Sequence, residues 1–501
     1  MPTIIPTDRH QLTFMNSLDD LVAPDHPIRL LDGLIDRIIE QHPSEFNHLA
    51  PQDSPGRRGY SAAALIKLYI YGYIQGITSS RKLEVEAQRN IEVIWLLSGL
   101  KPSFKTIADY RKDHSGQIAR VNEQVVRFLS DNGWIKGKRI GIDGAKLKAY
   151  TKWDMVDGQS LDRQLENAHN QLEEWLTRLT INDLQDELDE LDEQHESGHE
   201  DGFASESRIL EEITRLQQKI QRLEALKGEL AEREGNHISE ADPQARLMRS
   251  AQGSKMPAYN LQASVDGAHK MIIMGAATTE PTDFELLEPM YWSSVHRLGR
   301  QPEEVLADTG YADLGDIQRI QACTPTRCYI PENDAPKTNR TITFSYDEQA
   351  DEFECSQGKR LVPVAKGTYN KAKDAYIDRY RGTECAQCVV ANECTTAADG
   401  VRTLSVFHGA KWREQYKRQL ASRYGRERLG ERKTLVEHVF GTLRYWMGQI
   451  PLKLRGLAKV QTEIDIYTAG YNIKRWSGLA PFGQLMDEIT NWNPTPTPQP
   501  V

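Results

Sequence analysis

Residues 138–147 read Lys-Arg-Ile-Gly-Ile-Asp-Gly-Ala-Lys-Leu, and the placing of this stretch decides the fold. Ile140 and Ile142 alternate with small or polar neighbours, the period-two pattern of a strand. Asp143 continues the strand on the opposite face, where a carboxylate has no reason to sit unless it is used. Strand signals return at Tyr259–Val265 and Met271–Ala276, joined by the turn Asp266-Gly267-Ala268-His269-Lys270. Phe284–Leu298 reads as a helix, and residues 304–311 (EVLADTGY) as a short apolar strand ending in Asp308 and a Gly turn. A helix over Leu314–Ala322 and a strand over Cys328–Pro331 complete a ββ-β-α-β-α-β order, an α/β unit with a mixed sheet.

Upstream, residues 1–135 read as mostly helical. Asp25-His26-Pro27 opens an amphipathic run from Ile28 to Ile39, and Gly56-Arg57-Arg58-Gly59 forms a basic loop. Ser61 is placed to cap a helix over Ala62–Tyr73; Ser79-Ser80-Arg81-Lys82 opens another, and Phe104–Arg120 a further one. Clustered Arg and Lys at helix starts suit phosphate contacts, because free N–H groups point outward there. A solvated helical face is the equally weighted alternative.

Downstream of the first strand, Leu161, Leu165, Ala168, Leu172, Trp175 and Leu179 are spaced 4-3-4-3-4. After a polar break at His195–Gly202, Ile209, Ile213, Leu216, Ile220 and Leu223 repeat the pattern, which predicts an antiparallel helical hairpin packed on itself or on a second subunit. Residues 335–404 read as a second insertion, polar with short strands; Arg413–Met447 reads as helical and basic, and Asn491–Val501 as a Pro/Thr-rich disordered tail. The divisions expected are 1–135 (helical, DNA-binding), 136–156 and 236–334 (sheet core), 157–235 (acidic hairpin), 335–404 (Cys-bearing insertion), 405–480 (C-terminal helices) and 481–501 (disordered tail).

At 501 residues, 39% hydrophobic and 27% charged, the chain is ordinary globular material with room for a catalytic domain and appendages. No apolar run approaches the roughly 18 residues of a membrane span. The first residues lack a charged and then apolar leader, and six cysteines are too sparse for a disulfide scaffold, so the expected location is cytoplasmic. The net charge of −10 is unevenly spread. Residues 157–235 hold 22 acids and 8 bases, leaving +4 for the rest of the chain, and residues 402–455 hold 13 Lys and Arg against 4 Glu. An acidic insert masks a basic body, and a nucleic-acid partner stays open.

Three acids stand out by context. Asp143 lies within a strand and Asp308 at a strand's C-terminal end, where α/β sheets place their sites. Glu437 borders the apolar stripe Val436, Val439, Leu443 and Met447, with Lys433, Gly441 and Arg444 on its own face. Three carboxylates converging from strands and a helix suit two Mg²⁺ or Mn²⁺ ions, about 3.5–4 Å apart.

With these residues the sequence resembles the DDE (Asp-Asp-Glu) transposases of bacterial insertion sequences, over about residues 15–475. The run from APDHPIRLLD to FKTIADYRK is similar to that family's N-terminal helical domain; GIDGAKLKA matches its first-Asp strand, ADTGY its second, and VEHVFGTLRYWMG its Glu helix. The resemblance implies an RNase H-like core, two Mg²⁺ or Mn²⁺ ions on Asp143, Asp308 and Glu437, and cutting and joining of double-stranded element-end DNA into a target. A dimer or larger assembly on DNA, in the nucleoid, goes with that. Arg57, Arg58, Arg81, Lys82, Lys146, Lys433, Arg444, Lys474 and Arg475 are the expected DNA contacts. Related members carry Tyr, Arg and Lys around the Glu; here Gly430, Lys433 and Arg444 stand at those positions, which keeps charge at two of three. Asp266 and Asp283 are rivals for the second carboxylate.

Cys355, Cys385, Cys388 and Cys394 give C-x29-C-x2-C-x5-C, a zinc signal weaker than paired CxxC motifs, and reduced thiols are the favoured reading. Cys323 and Cys328 read as structural, and His438 as a packing or phosphate neighbour. Two alternatives accompany the transposase reading: a metal-dependent nuclease without strand transfer, and a catalytically silent or domesticated DNA-binding protein. The second would show the loss of one acid, and all three are present.

Overall fold

The computed structural model describes residues 17–46, 59–191, 200–233, 235–250, 253–332, 342–371, 375–445 and 452–494. The N-terminal segment is helical: α1 (Ile28–Gln41), α2 (Pro43–Phe46), α3 (Ala62–Ile74), α4 (Ser80–Arg89), α5 (Ile91–Leu96), α6 (Phe104–Asp113) and α7 (Ser115–Asp131). Its starts are written locally. The Ser61 hydroxyl accepts from the Ala64 N–H at 3.2 Å, a cap worth about 1 kcal/mol. Leu30, Leu31, Leu34, Ile35 and Ile38 form the buried stripe of α1. The single helix expected from Phe104 breaks at His114, whose φ of −117° and ψ of 41° leave the helical region while its ring stacks on Tyr110.

The sheet core begins with β1 (Arg139–Lys148). After it come β2 (Met155–Val156), the long helices α8 (Gly158–Leu191) and α9 (Glu200–Glu232), and β3 (Ile238–Ser239). The helices leave and return through the β2–β3 ribbon and pack on each other, with Leu161, Leu223, Leu226 and Ile238 buried at their base and Asp162 paired to Lys227 at 2.6 Å. Next are β4 (Arg246–Arg249), β5 (Lys255–Asp266), β6 (Ile272–Thr278), α10 (Leu287–Leu298), β7 (Glu304–Leu306), α11 (Leu314–Cys323) and β8 (Arg327–Tyr329). β5 runs antiparallel to β1, from Ile140 opposite Asp266 to Lys148 opposite Ala258. Its other edge takes β4 and then β6, both antiparallel. On the far side of β1, β7 and then β8 add in parallel. The sheet thus runs β6-β5-β1-β7-β8, mixed in direction, with helices against it: an α/β architecture.

A second, antiparallel sheet follows: β9 (Phe344–Asp347), β10 (Glu352–Cys355), β11 (Arg360–Asn370), β12 (Ala375–Gly382), the short α12 (Ala391–Cys394) and β13 (Thr403–Phe407). The basic stretch after it divides at Ser422 into α13 (Ala410–Ala421) and α14 (Arg423–Tyr445), and the Ser422 hydroxyl caps the second at the Gly425 N–H, 2.9 Å. α15 (Leu457–Trp476) is buried almost throughout, because it lies between α3 and α7 on one side and β6 on the other.

The expected disordered tail needs correction at its start. Residues 482–491 form α16 (Phe482–Asn491), whose Leu485 and Ile489 are buried against α1, and Trp492 donates its indole N–H to Asp131 at 2.9 Å. An apolar i, i+4 pair sets this helix apart from the Pro/Thr run beyond it. Residues 495–501 and the loop with Arg57 and Arg58 lie outside the described residues. Among the described residues no helix is long and apolar enough to cross a membrane.

Candidate active site

Register brings two of the three acids side by side. Gly141 is level with Leu306 on the parallel strand β7. Two residues further along each chain stand Asp143 and Asp308, the latter still in extended backbone. Adjacent strands lie about 4.8 Å apart and side chains repeat their face every second residue, so the two carboxylates emerge together on the Gly141 face. Asp308 then accepts from the Gly310 N–H at 2.8 Å, which turns the chain out of the strand, and Asp143 accepts from the Gly144 N–H at 2.8 Å.

Burial pushes the Asp143 carboxyl up to about 6, and the negative charges of Asp308 and Asp283 push the same way, against the Gly144 N–H and Arg432. Carboxylates gathered with partial desolvation repel one another until a cation joins them. Hard oxygen donors on one face fit Mg²⁺ or Mn²⁺.

A set of polar side chains around Asp283 lies close to this pair. Asp283, from the loop before α10, accepts at one oxygen from Asn260 (2.7 Å), Gln262 (2.8 Å) and Lys146 (3.1 Å). Tyr311 is buried beneath the acids and donates its hydroxyl to Gln262; burial and the neighbouring carboxylates raise its own pKa. Gly144 is small by necessity, since an added Cβ would lie 2.6 Å from Gln262 and 2.8 Å from Asp283. Of the two rivals, Asp266 instead closes the β5–β6 turn, accepting from the Gly137, Ala268 and His269 N–H groups. The Asp283 layer has only one sequence-level trace, the pairing of Gly144 and Lys146 with Gln262 and Asn260 across β1 and β5.

α14 covers the same face. Leu435 and Val436 press on Gly141, where an added Cβ would stand 2.2 Å and 2.7 Å from their methyl groups. Arg139 at the start of β1 pairs with Glu431 at 2.7 Å. Glu437, one residue beyond Val436, is exposed. Among the described residues no three His, Cys, Asp or Glu side chains converge where they could share a metal ion. The structure therefore joins Asp143 to Asp308 and leaves Glu437 on the outer side of the helix above them.

The expected cations fall into separate groups. Arg81 and Lys82 are exposed at the start of α4, Arg81 lying over the Phe104 ring. Lys433 is exposed on α14, where Arg444 also lies. Lys146 is paired to Asp283 at the site. Lys474 reaches the Ile74 carbonyl (3.4 Å) and Arg475 the His269 carbonyl, contacts that bind α15 into the fold. His438 is exposed on α14, and partial burial of its ring, followed by the charges of Arg475 and Lys270, holds its pKa down.

Residues 354–477 match the family model described as a transposase DDE domain, and residues 16–113 match that of a transposase domain (DUF772). The first match holds Glu437 and the four clustered cysteines; Asp143, Asp283 and Asp308 lie between the two matched stretches. No curated protein and no solved structure matches the chain.

Proposed function

The chain belongs to the DDE-type insertion-sequence transposases, and from that premise we propose that it binds the ends of its own element and cuts and joins them by metal-dependent phosphodiester chemistry. The observation carrying this reading is the pairing of Asp143 with Asp308 on adjacent parallel strands of a sheet ordered β6-β5-β1-β7-β8. That order, with its first three strands antiparallel and the last two parallel to the first, supports an RNase H-like core interrupted by the helical hairpin and the Cys-bearing sheet.

Asp143 and Asp308 would hold the divalent ions; Glu437, which faces outward on the covering helix here, would serve as the third ligand once α14 turns it toward the acids. Bound Mg²⁺ or Mn²⁺ supplies the positive charge that phosphodiester attack and departure require. Asp283 and Lys146 keep the wall of the site in place. Lys433 lies on the helix that covers the acids, where a scissile strand would pass, and Arg81 and Lys82 offer phosphate contacts at the N-terminus of a second helix. Two element ends call for two sites, hence a dimer or larger assembly on DNA.

The test is cleavage of a DNA fragment carrying the element's ends, with Mg²⁺ or Mn²⁺, by the wild-type chain and by Asp143→Asn, Asp308→Asn and Glu437→Gln. Metal-dependent nicking at the ends, lost in all three variants while end binding persists, is the expected result. Binding without cleavage in the wild type would make it a silent DNA-binding protein. Nicking without strand transfer would leave a nuclease, and full activity in Glu437→Gln would move the third ligand elsewhere.

A further inference from the structure

Four cysteines distant in sequence meet in the second sheet. Cys355 ends β10, Cys385 and Cys388 lie in the turn after β12, and Cys394 ends α12; all four line one cavity, together with Lys359 and Arg402. Each sits in a tight local turn. Gly358 donates its N–H to the Cys355 carbonyl (2.8 Å), Cys388 to that of Cys385 (3.0 Å), and Ala391 to that of Cys388 (3.0 Å). Arg402 donates to the Cys394 carbonyl at 3.3 Å. The Cys385 sulfur is pressed onto Gly382, where an added Cβ would stand 2.1 Å away.

The apolar core of this sheet is small: Leu361, Tyr380, Val406 and Ala410 are buried, with Phe344, Tyr346, Phe353, Cys355 and Leu404 partly buried against them. A five-stranded unit with so small an apolar core is of the kind that a structural metal or disulfides ordinarily complete. The geometry points to a structural Zn²⁺ held by Cys355, Cys385, Cys388 and Cys394, independent of the carboxylate site. The thiols line the cavity wall and do not yet meet at its centre, in keeping with the absence of converged ligands among the described residues. On this assignment the four side chains turn inward when the ion binds, to the roughly 2.3 Å of a Zn–S bond. Four Zn–S bonds form and four thiol protons leave to solvent, giving a centre of net charge −2 that Lys359 and Arg402 face from the same cavity.

The experiment uses the full chain, purified without chelator and then dialysed to remove loose ions. Metal content is measured by mass spectrometry on the wild type, on Cys385→Ser/Cys388→Ser and on Asp143→Asn/Asp308→Asn. One equivalent of zinc in the wild type and the aspartate variant, falling at least tenfold in the cysteine variant, is expected. Because the cysteine variant could fail to fold, Co²⁺ is also exchanged into the wild type, where intense sulfur-to-cobalt absorption reports a tetrahedral thiolate site. Iron in place of zinc, no bound metal with four freely titrating thiols, two disulfides in the native chain, or zinc lost only with the aspartates would each overturn the assignment.

Discussion

Asp465 on α15 shows how a single buried carboxyl sets a pH dependence away from the reaction. It accepts from Asn122 (2.9 Å) and Gln461 (3.2 Å), and burial pushes it up to about 6, with Arg297 and these two amides pulling the other way. Its folded-state value thus lies above its unfolded value of 3.8. The contribution to stability is complete below 3.8 and is lost as pH rises through 6. Asp465→Asn should therefore gain on the wild type by about 2 kcal/mol between pH 4.5 and 7.5, read by urea unfolding at each pH. A difference that stays flat with pH would refute this. At this scale the sequence was informative where a charged residue interrupts an apolar pattern, as at Asp143 and Asp308. Asp283 was harder to read: it lies in a loop, and its role comes from three donors on β1 and β5 that only pairing assembles.

Between elements, the contact of α14 with β1 controls how closely the helix approaches the acids. With no room for a Cβ at Gly141, Gly141→Ala should lift Leu435 and Val436 from the strand. The expected cost is about 1–3 kcal/mol of stability, as for overpacked cores. Because Glu437 rides on the same helix, end cleavage should fall more than end binding, measured side by side. Equal loss of both would indicate unfolding rather than displacement. Periodicity located β1, β5, β7 and the helical hairpin, since each is long or strongly patterned. It missed the breaks at His114 and Ser422, where helix-favouring residues continue on both sides and only a local turn decides. It missed α16 too, because its apolar pair has meaning only against α1.

Across the molecule, α15 is tied to the N-terminal helices through one fully buried carboxylate. Glu463 accepts from the Tyr73 hydroxyl (3.0 Å), Arg111 (3.4 Å) and the N–H groups of Lys453 (2.7 Å) and Leu454 (2.9 Å). Removing one partner of such a set strands the other charge, so Glu463→Ala should lose about 3–5 kcal/mol in thermal or urea unfolding. A loss under 1 kcal/mol would mean that water takes over the carboxylate's place. None of these partners is near Glu463 in sequence except the two amides, which is why the network could not be foreseen.

The order of the elements along the chain also carries a consequence for synthesis. β1 pairs with β5 only after the whole hairpin of α8 and α9 has been made, and α3 and α7 find their partner α15 later still. Asp143 emerges from the ribosome early, Asp308 well after it, and Glu437 near the end. On the proposed reading, a nascent chain exposes its first carboxylate long before the other two, and polypeptides released before α14 would lack the third acid. The order of the elements would then delay the proposed cutting until translation is almost complete.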